Sequence, residues 1–365
     1  MRMKVPFLDV TREWIFFEDK FLEELKKFGR DGKYVLGPYT EEFEKKFSEA
    51  HGYKYGIGVS TGLAALETAL LANDIGPGDE VITVANSAVA TSLAISRLGA
   101  KPVFCDIDEK FLIDVSKIEA LVTPRTKAIL PVHLFGSVCD MEAINGIVKK
   151  NNLIVVEDAC QAHGSGYGGP STINTKAFSF YPTKNLGALG EGGMVITNDE
   201  KVRDFVSSYR NYGQKERYNH IIKGTNYRIG ALQCAFLGIK LESLKDFVEK
   251  RKNIAKKYIG GLSSIDDLVI NPFDNTSSYH IFTARVLNGK RDGSMKYLKE
   301  NEIDTAIYYP TPIHRQVCYK DEYVDIALEN TDRFQNEIIS LPCYPFMNDD
   351  EVEYVIEKVI SFFKA

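Results

Sequence analysis

Short apolar runs alternate with amphipathic stretches over the first two thirds of the chain. Tyr55–Val59, Glu80–Val84, Lys101–Asp106, Ala128–His133, Leu153–Val156, Ala177–Tyr181 and Gly193–Thr197 read as strands, most apolar on both faces. Between them, helical spacing predicts helices over Ala64–Ala72, from Thr91 to Leu98, around Val115–Leu121, over Asp140–Lys150 and over Lys201–Ser208. Upstream, Trp14, Phe17, Phe21, Leu22, Leu25 and Phe28 predict a helix over Thr11–Phe28 ended by Gly29 and Gly32, and Gly37-Pro38 opens a second over Glu41–His51. Strands alternating with helices imply βαβ units. The expected fold is α/β: a large domain over 1–240 with a mainly parallel mixed sheet flanked by helices. A single long helix, Gln233–Ile259, then leads into a smaller α+β domain over 241–365. That domain is expected to hold strands His280–Val286 and Thr305–Pro310, a helix at Met295–Glu300 and a closing helix at Glu351–Phe363.

Composition narrows the class. Apolar residues make up 44% of 365 and charged residues 26%, with a net charge of −5. Basic and acidic residues are interleaved, which argues against a nucleic-acid surface. Six cysteines lie scattered with no Cys-x-x-Cys pair, so neither a zinc site nor a disulfide framework is expected and no metal ligand set is assigned. No leader pattern and no membrane-length apolar run stand out, and a cytoplasmic enzyme is the expectation. Gly164, Gly166, Gly168 and Gly169 are not a dinucleotide fingerprint, because no helix follows directly.

The chemistry concentrates in two stretches. Leu153-Ile154-Val155-Val156 ends in Glu157-Asp158, which puts Asp158 at the carboxyl end of a strand, where open α/β sheets bind ligands. One loop and one strand later, Lys184 sits in a polar, glycine-containing turn between two apolar runs. A desolvated lysine loses its proton readily and can form a Schiff base. A carboxylate beside a cofactor ring can hold a ring nitrogen protonated, so this pair suits pyridoxal phosphate. The turn Ser60-Thr61-Gly62-Leu63 opens a helix with small residues, as an anion site would.

With these residues, Glu157-Asp158-Ala159-Cys160-Gln161 and Ser179-Phe180-Tyr181-Pro182-Thr183-Lys184-Asn185-Leu186-Gly187, the chain resembles the DegT/DnrJ/EryC1/StrS sugar aminotransferases, fold-type I enzymes dependent on pyridoxal phosphate. The resemblance implies that Lys184 carries the cofactor and moves protons, that Asp158 pairs with the ring nitrogen and that Gln161 contacts the ring hydroxyl. It implies that Thr61, Gly62, Leu63 and Ser179 hold the phosphate. Gly224-Thr225-Asn226-Tyr227-Arg228 resembles the motif whose Asn reaches the phosphate of the neighbouring subunit, implying a homodimer with shared sites. Family members often stack an aromatic on the ring where this chain has Ala88, which leaves Asn86 as a candidate cover. The family also carries a Thr where Leu63 stands.

Substrate residues are expected at Tyr181, Tyr309 and His314. The run Ile307-Tyr308-Tyr309-Pro310-Thr311-Pro312-Ile313-His314-Arg315-Gln316 resembles the loop of members that aminate carbon 3, and its prolines would hold Tyr309 and His314 at the mouth of the site. The implied reaction moves an amino group from L-glutamate to a nucleotide-linked keto-sugar, a 3-keto-6-deoxy sugar. The alternatives are a 4-keto acceptor, another pyridoxal-phosphate reaction of the family, or a non-catalytic regulatory or ligand-binding protein on the same fold. The dehydratase branch replaces the lysine by His, so Lys184 argues against it. His133 is either a hydrogen-bonded residue at a strand end or a substrate contact.

Overall fold

The structure, a computed structural model, describes residues 3–166 and 175–364. In chain order the elements begin α1 (Val10–Asp31), α2 (Pro38–Ala50), β1 (Tyr55–Val59), α3 (Gly62–Leu71), β2 (Glu80–Val84), α4 (Val89–Ser96), β3 (Lys101–Cys105), α5 (Val115–Ile118), β4 (Thr126–Ile129), α6 (Met141–Asn151), β5 (Ile154–Asp158), β6 (Thr175–Ser179), β7 (Gly193–Thr197) and α7 (Glu200–Tyr209). A hairpin, β8 (Gln214–Glu216) and β9 (Asn219–His220), precedes α8 (Ala231–Leu241) and α9 (Leu244–Leu262). The last part holds β10 (Leu268–Val269), β11 (Phe282–Val286), α10 (Arg291–Glu300), α11 (Glu329–Phe334), β12 (Ile338–Leu341) and α12 (Asp349–Lys364).

Seven strands form one sheet in the order β1-β7-β6-β5-β4-β2-β3. From β6 to β3 the neighbours run parallel, and β7 is antiparallel to both β1 and β6. The sheet is mixed and mainly parallel, as the alternation of runs predicts. Its two faces carry separate cores. Val81, Val156, Ala177 and Val195 pack with α3 residues such as Leu66 and Leu70, while Ile82, Ile129 and Val155 pack with Phe111, Phe135 and Ile144. Parallel strands direct their carboxyl ends to one edge, and that edge carries the Ala85–Ser87 turn, Asp158 and Ser179.

A smaller sheet, β10-β11-β12, packs with α9, α10 and α12 around Tyr258, Phe282 and Val355. Val5 joins this core and bridges Ile303, its N–H donating to Glu302 O at 2.9 Å, while Phe7 packs against the core on one face of the larger sheet.

Several boundaries differ from expectation. Helix α1 continues past Gly29, and Gly32 ends it with φ of 64°, which glycine adopts without penalty. Leu22 and Leu25 are more than two-fifths exposed, so the buried stripe narrows to Phe17, Phe21 and Phe28. The single helix expected over Gln233–Ile259 is two, α8 and α9, separated at Glu242-Ser243, and Leu237, Leu244 and Val248 all enter the core around Phe178 and Phe180. Thr305–Pro310 is not a strand: Ala306 alone bridges Ser340, and Pro310 has no N–H to extend a ladder. Of the glycine-rich loop, Gly164 and Gly166 are described, and Gly168 and Gly169 lie outside the described residues. Among the described residues no helix is long and apolar enough to cross a membrane.

Candidate active site

The lysine turn is built tightly. Phe180 lies in the core, Lys184 N–H donates to Tyr181 O (2.9 Å) and Ala188 N–H to Phe180 O (2.8 Å). A side chain at Gly187 would meet Pro182 O at 2.3 Å, so only glycine closes this loop. The next residue, Asn185, is pinned from the C-terminal layer: its Nδ2 donates to Ser278 O (3.3 Å), and His280 Nδ1 lies 3.2 Å from its Oδ1. Burial lowers the pKa of the Lys184 amine, with Cys160 and Asp158 nearby opposing that shift. Among the described residues the amine has neither an ion pair nor a hydrogen bond.

Asp158 is buried at the end of β5. Its Oδ2 accepts from Thr91 Oγ1 at 2.7 Å and its Oδ1 from Cys160 N–H at 3.1 Å. Gln161 is held from both ends: Oε1 accepts from Phe135 N–H (2.9 Å) and Nε2 donates to Tyr309 Oη (3.1 Å). Tyr309 is thereby joined to the strand-end cluster, and burial, aided by Asp158, raises its pKa. Tyr181 is 48% exposed just before the lysine turn.

The third component is the start of α3. Thr61 caps this helix, its Oγ1 accepting from Ala64 N–H (3.0 Å), which leaves the hydroxyl proton free to donate. Val59, Gly193 and Ser179 lie side by side across β1, β7 and β6. A Cβ on Gly62 would stand 2.5 Å from Ser179 Cβ, and one on Gly193 would stand 2.2 Å from Thr61 O. Glycine at both positions therefore brings the Ser179 hydroxyl against the helix N-terminus, a cradle for an oxyanion. Leu63 is half-buried on the first turn. Ala88, half-buried before α4, presents only a methyl group. Asn86 is buried, with its Nδ2 unpartnered among the described residues.

Three further predicted residues have side chains held by other partners. His133 is fully buried with Nε2 2.8 Å from Glu157 Oε2, while its Nδ1 accepts from Cys139 N–H at 3.2 Å; Lys176 Nζ reaches the same Glu157 oxygen at 2.9 Å. It is an interior residue, not a substrate contact. His314 is not at a mouth: its ring is fully buried, with Nε2 3.1 Å from Asp332 Oδ1. Asn226 is exposed, its Oδ1 accepting from Arg228 Nε at 2.9 Å. Arg228 also donates to Asn211 Oδ1 and lies over the Tyr212 ring, so among the described residues it pairs with amides and not with a surface acid.

Sequence reasoning passed over Thr91, Gly193 and Asn185. Thr91 follows two other polar residues, Asn86 and Ser87, at the carboxyl end of β2, and that position was its available signal. The packing of Gly193 against Thr61 had none, because the two meet only through the sheet register.

A family model described as the DegT/DnrJ/EryC1/StrS aminotransferase family matches residues 17–360. The dTDP-3-amino-3,6-dideoxy-alpha-D-galactopyranose transaminase of Aneurinibacillus thermoaerophilus is 41% identical to this chain, over 97% of it and 98% of that protein. A protein named pleiotropic regulatory protein, from Geobacillus stearothermophilus, is 39% identical over 99% of both. The crystal structure of ntda from Bacillus subtilis with bound cofactor PMP superposes with a TM-score of 0.95 at 32% identity, covering 99% of this chain and 86% of that one.

Proposed function

Because the chain belongs to the DegT/DnrJ/EryC1/StrS aminotransferase family, we propose that it uses pyridoxal phosphate to move an amino group from L-glutamate to a nucleotide-linked 3-keto-6-deoxy sugar. The observation that carries this reading is the unpaired, desolvated Lys184 amine beside the strand-end carboxylate Asp158, with an oxyanion cradle one strand away. The residues fit the group: an amine for its aldehyde, a carboxylate for its ring nitrogen and the Thr61-Gly62-Ser179 cradle for its phosphate. When bound, pyridoxal phosphate supplies an aldehyde that captures amines and a ring that withdraws electrons from them.

The chain's own groups do the rest. A lowered pKa gives Lys184 a larger neutral fraction near pH 7, so it can bond the cofactor and carry a proton between carbon atoms. Asp158, held in place by two donors, pairs with the ring nitrogen. Gln161 keeps one N–H free for the ring oxygen, because its other amide proton goes to Tyr309. Thr61 and Ser179 hydroxyls with the Gly62-Leu63 turn hold the phosphate, and Ala88 leaves the ring face open. Tyr181 and Tyr309 contact the sugar nucleotide, and His314, locked to Asp332, holds the loop that presents Tyr309.

Asn226 completes the phosphate site of a second copy in a homodimer, in the cytoplasm. Its exposure supports this, as do Tyr218, 77% exposed, and Ile221, 54% exposed, on and just after the preceding hairpin. Acceptor position follows the Tyr308–Gln316 run and the 3-amino product in the name of the Aneurinibacillus relative. The name of the Geobacillus relative raises a regulatory reading. A pure regulator has no use for a free lysine aligned with a buried carboxylate.

The test is optical. Purified protein with pyridoxal phosphate should show a visible band that glutamate bleaches and a 3-keto nucleotide sugar restores, and borohydride should label Lys184. A label on another lysine, or restoration by 4-keto sugars alone, overturns the assignment.

A further inference from the structure

We propose that Ser87 and Thr91 form a hydroxyl relay that positions the Asp158 carboxylate against the cofactor ring, a proposal that rests on the role given to Asp158 above. Thr91 Oγ1 lies 2.7 Å from Asp158 Oδ2, and Ser87 Oγ lies 2.8 Å from Thr91 Oγ1. All three residues are at most 4% exposed.

The direction of the relay follows from proton counting. An ionised carboxylate only accepts, and a hydroxyl has one proton to give. Thr91 gives its proton to Asp158, so its oxygen must accept, and Ser87 is the donor. Each link polarises the next, so the donor reaching Oδ2 is stronger than a lone threonine. On the other carboxylate oxygen, Cys160 N–H donates to Oδ1. One side of the carboxylate is thus held from the start of α4 and the other from the chain just after β5. Both oxygens keep lone pairs for a ring nitrogen.

Neither hydroxyl caps its helix: α4 has no side-chain cap at its N-terminus. The relay's one described destination is Asp158. This makes Thr91 and Ser87 positioning residues, which act on the cofactor through Asp158 and do not touch it.

The experiment uses the pyridoxal-phosphate-loaded protein and its variants Thr91→Val, Thr91→Ser, Ser87→Ala and Asp158→Asn. It reads the cofactor dissociation constant by equilibrium dialysis, the pH midpoint of the visible band, the single-turnover rate with saturating glutamate, and the denaturation midpoint. A charge-assisted hydrogen bond predicts that Thr91→Val slows the glutamate stage by about ten- to a hundredfold and shifts the pH midpoint in the same direction as Asp158→Asn, by less. Thr91→Ser should return both to within about threefold of the wild type, and Ser87→Ala should fall between Ser and Val at position 91.

If Asp158→Asn damages rate and midpoint while Thr91→Val leaves both at wild-type values, the relay is refuted and the role of Asp158 stands. Equal damage in Thr91→Ser and Thr91→Val, or a lowered denaturation midpoint with unchanged spectra, also refutes it. Should Thr91→Val fail to fold, an unchanged pH midpoint in Ser87→Ala decides against it. If Asp158→Asn changes nothing, the assignment beneath the proposal has failed, and the relay with it.

Discussion

His163 shows how a single buried residue ties stability to pH. Its ring is fully buried and lies 5.2 Å from Phe178 and 5.8 Å from Phe180, and no side chain pairs with either nitrogen among the described residues. Burial holds its pKa well below the ordinary value, neighbouring Lys184 and His51 push it the same way, and the Ser179 backbone opposes them only weakly. The folded protein therefore keeps this imidazole neutral at pH values where the unfolded chain, with a pKa near ~6.5, takes up a proton. Unfolding then binds protons, so stability is complete above about pH 7 and falls on acidification. His163→Phe, a ring of similar size among phenylalanines, should remove one proton from this balance. Between about pH 6 and 5 the wild type should lose up to about 1.4 kcal/mol per pH unit more than the variant. Urea titrations at several pH values measure this, and parallel pH profiles would show that His163 protonates in the fold.

At the scale of elements, the cradle depends on how closely α3 approaches β6. The Cβ that Gly62 lacks would overlap Ser179, so Gly62→Ala must push the helix start and the strand end apart. Overpacking of this kind costs about 1–3 kcal/mol, and here it falls on the pair of elements proposed to grip the phosphate. Gly62→Ala should weaken cofactor binding at least about tenfold. Gly238, on α8, has nothing within 4 Å of its missing Cβ, and Gly238→Ala should leave cofactor binding unchanged and stabilise by about 0.5–1 kcal/mol. Equilibrium dialysis and denaturation midpoints on the two variants separate a site effect from a general glycine effect. Equal cofactor affinity in both would remove Gly62 from the cradle.

Across the whole molecule the open question is whether one chain completes its own site. Asn226 is exposed and anchored by Arg228, and nothing in its own chain uses its remaining amide donors among the described residues. In a dimer with shared sites, Asn226→Ala and Lys184→Ala damage different halves of the same site. Each should be poorly active alone: Lys184→Ala loses the cofactor bond, and Asn226→Ala loses a phosphate contact of roughly 1.5–3 kcal/mol. Mixed after subunit exchange, they should recover activity, because one of the two sites in each mixed dimer is intact. Exchange demonstrated by tagged subunits without recovery would confine each site to one chain.

The sequence alone determined the pieces that depend on local order. Alternating apolar runs specified the β1–β7 strands, because burying both faces of a parallel sheet requires them. Asp158 and Lys184 were legible because a strand end and a glycine-closed turn need their residue types within a few positions. Family motifs added Gln161, Ser179 and Asn226 as expectations. Tertiary structure decided what depends on distant segments meeting. His314 and Tyr309 are five residues apart, yet one is sealed against Asp332 and the other is tied to Gln161, through partners 18 and 148 residues away. The register that lays Gly193 between Val59 and Ser179 turns an ordinary strand glycine into a wall of the cradle that the Gly62 turn opens. No pattern along the chain could give the Thr91–Asp158 bond either. Hydrogen bonds of a few ångströms are fixed by packing, and periodicity reports only which face of an element is buried.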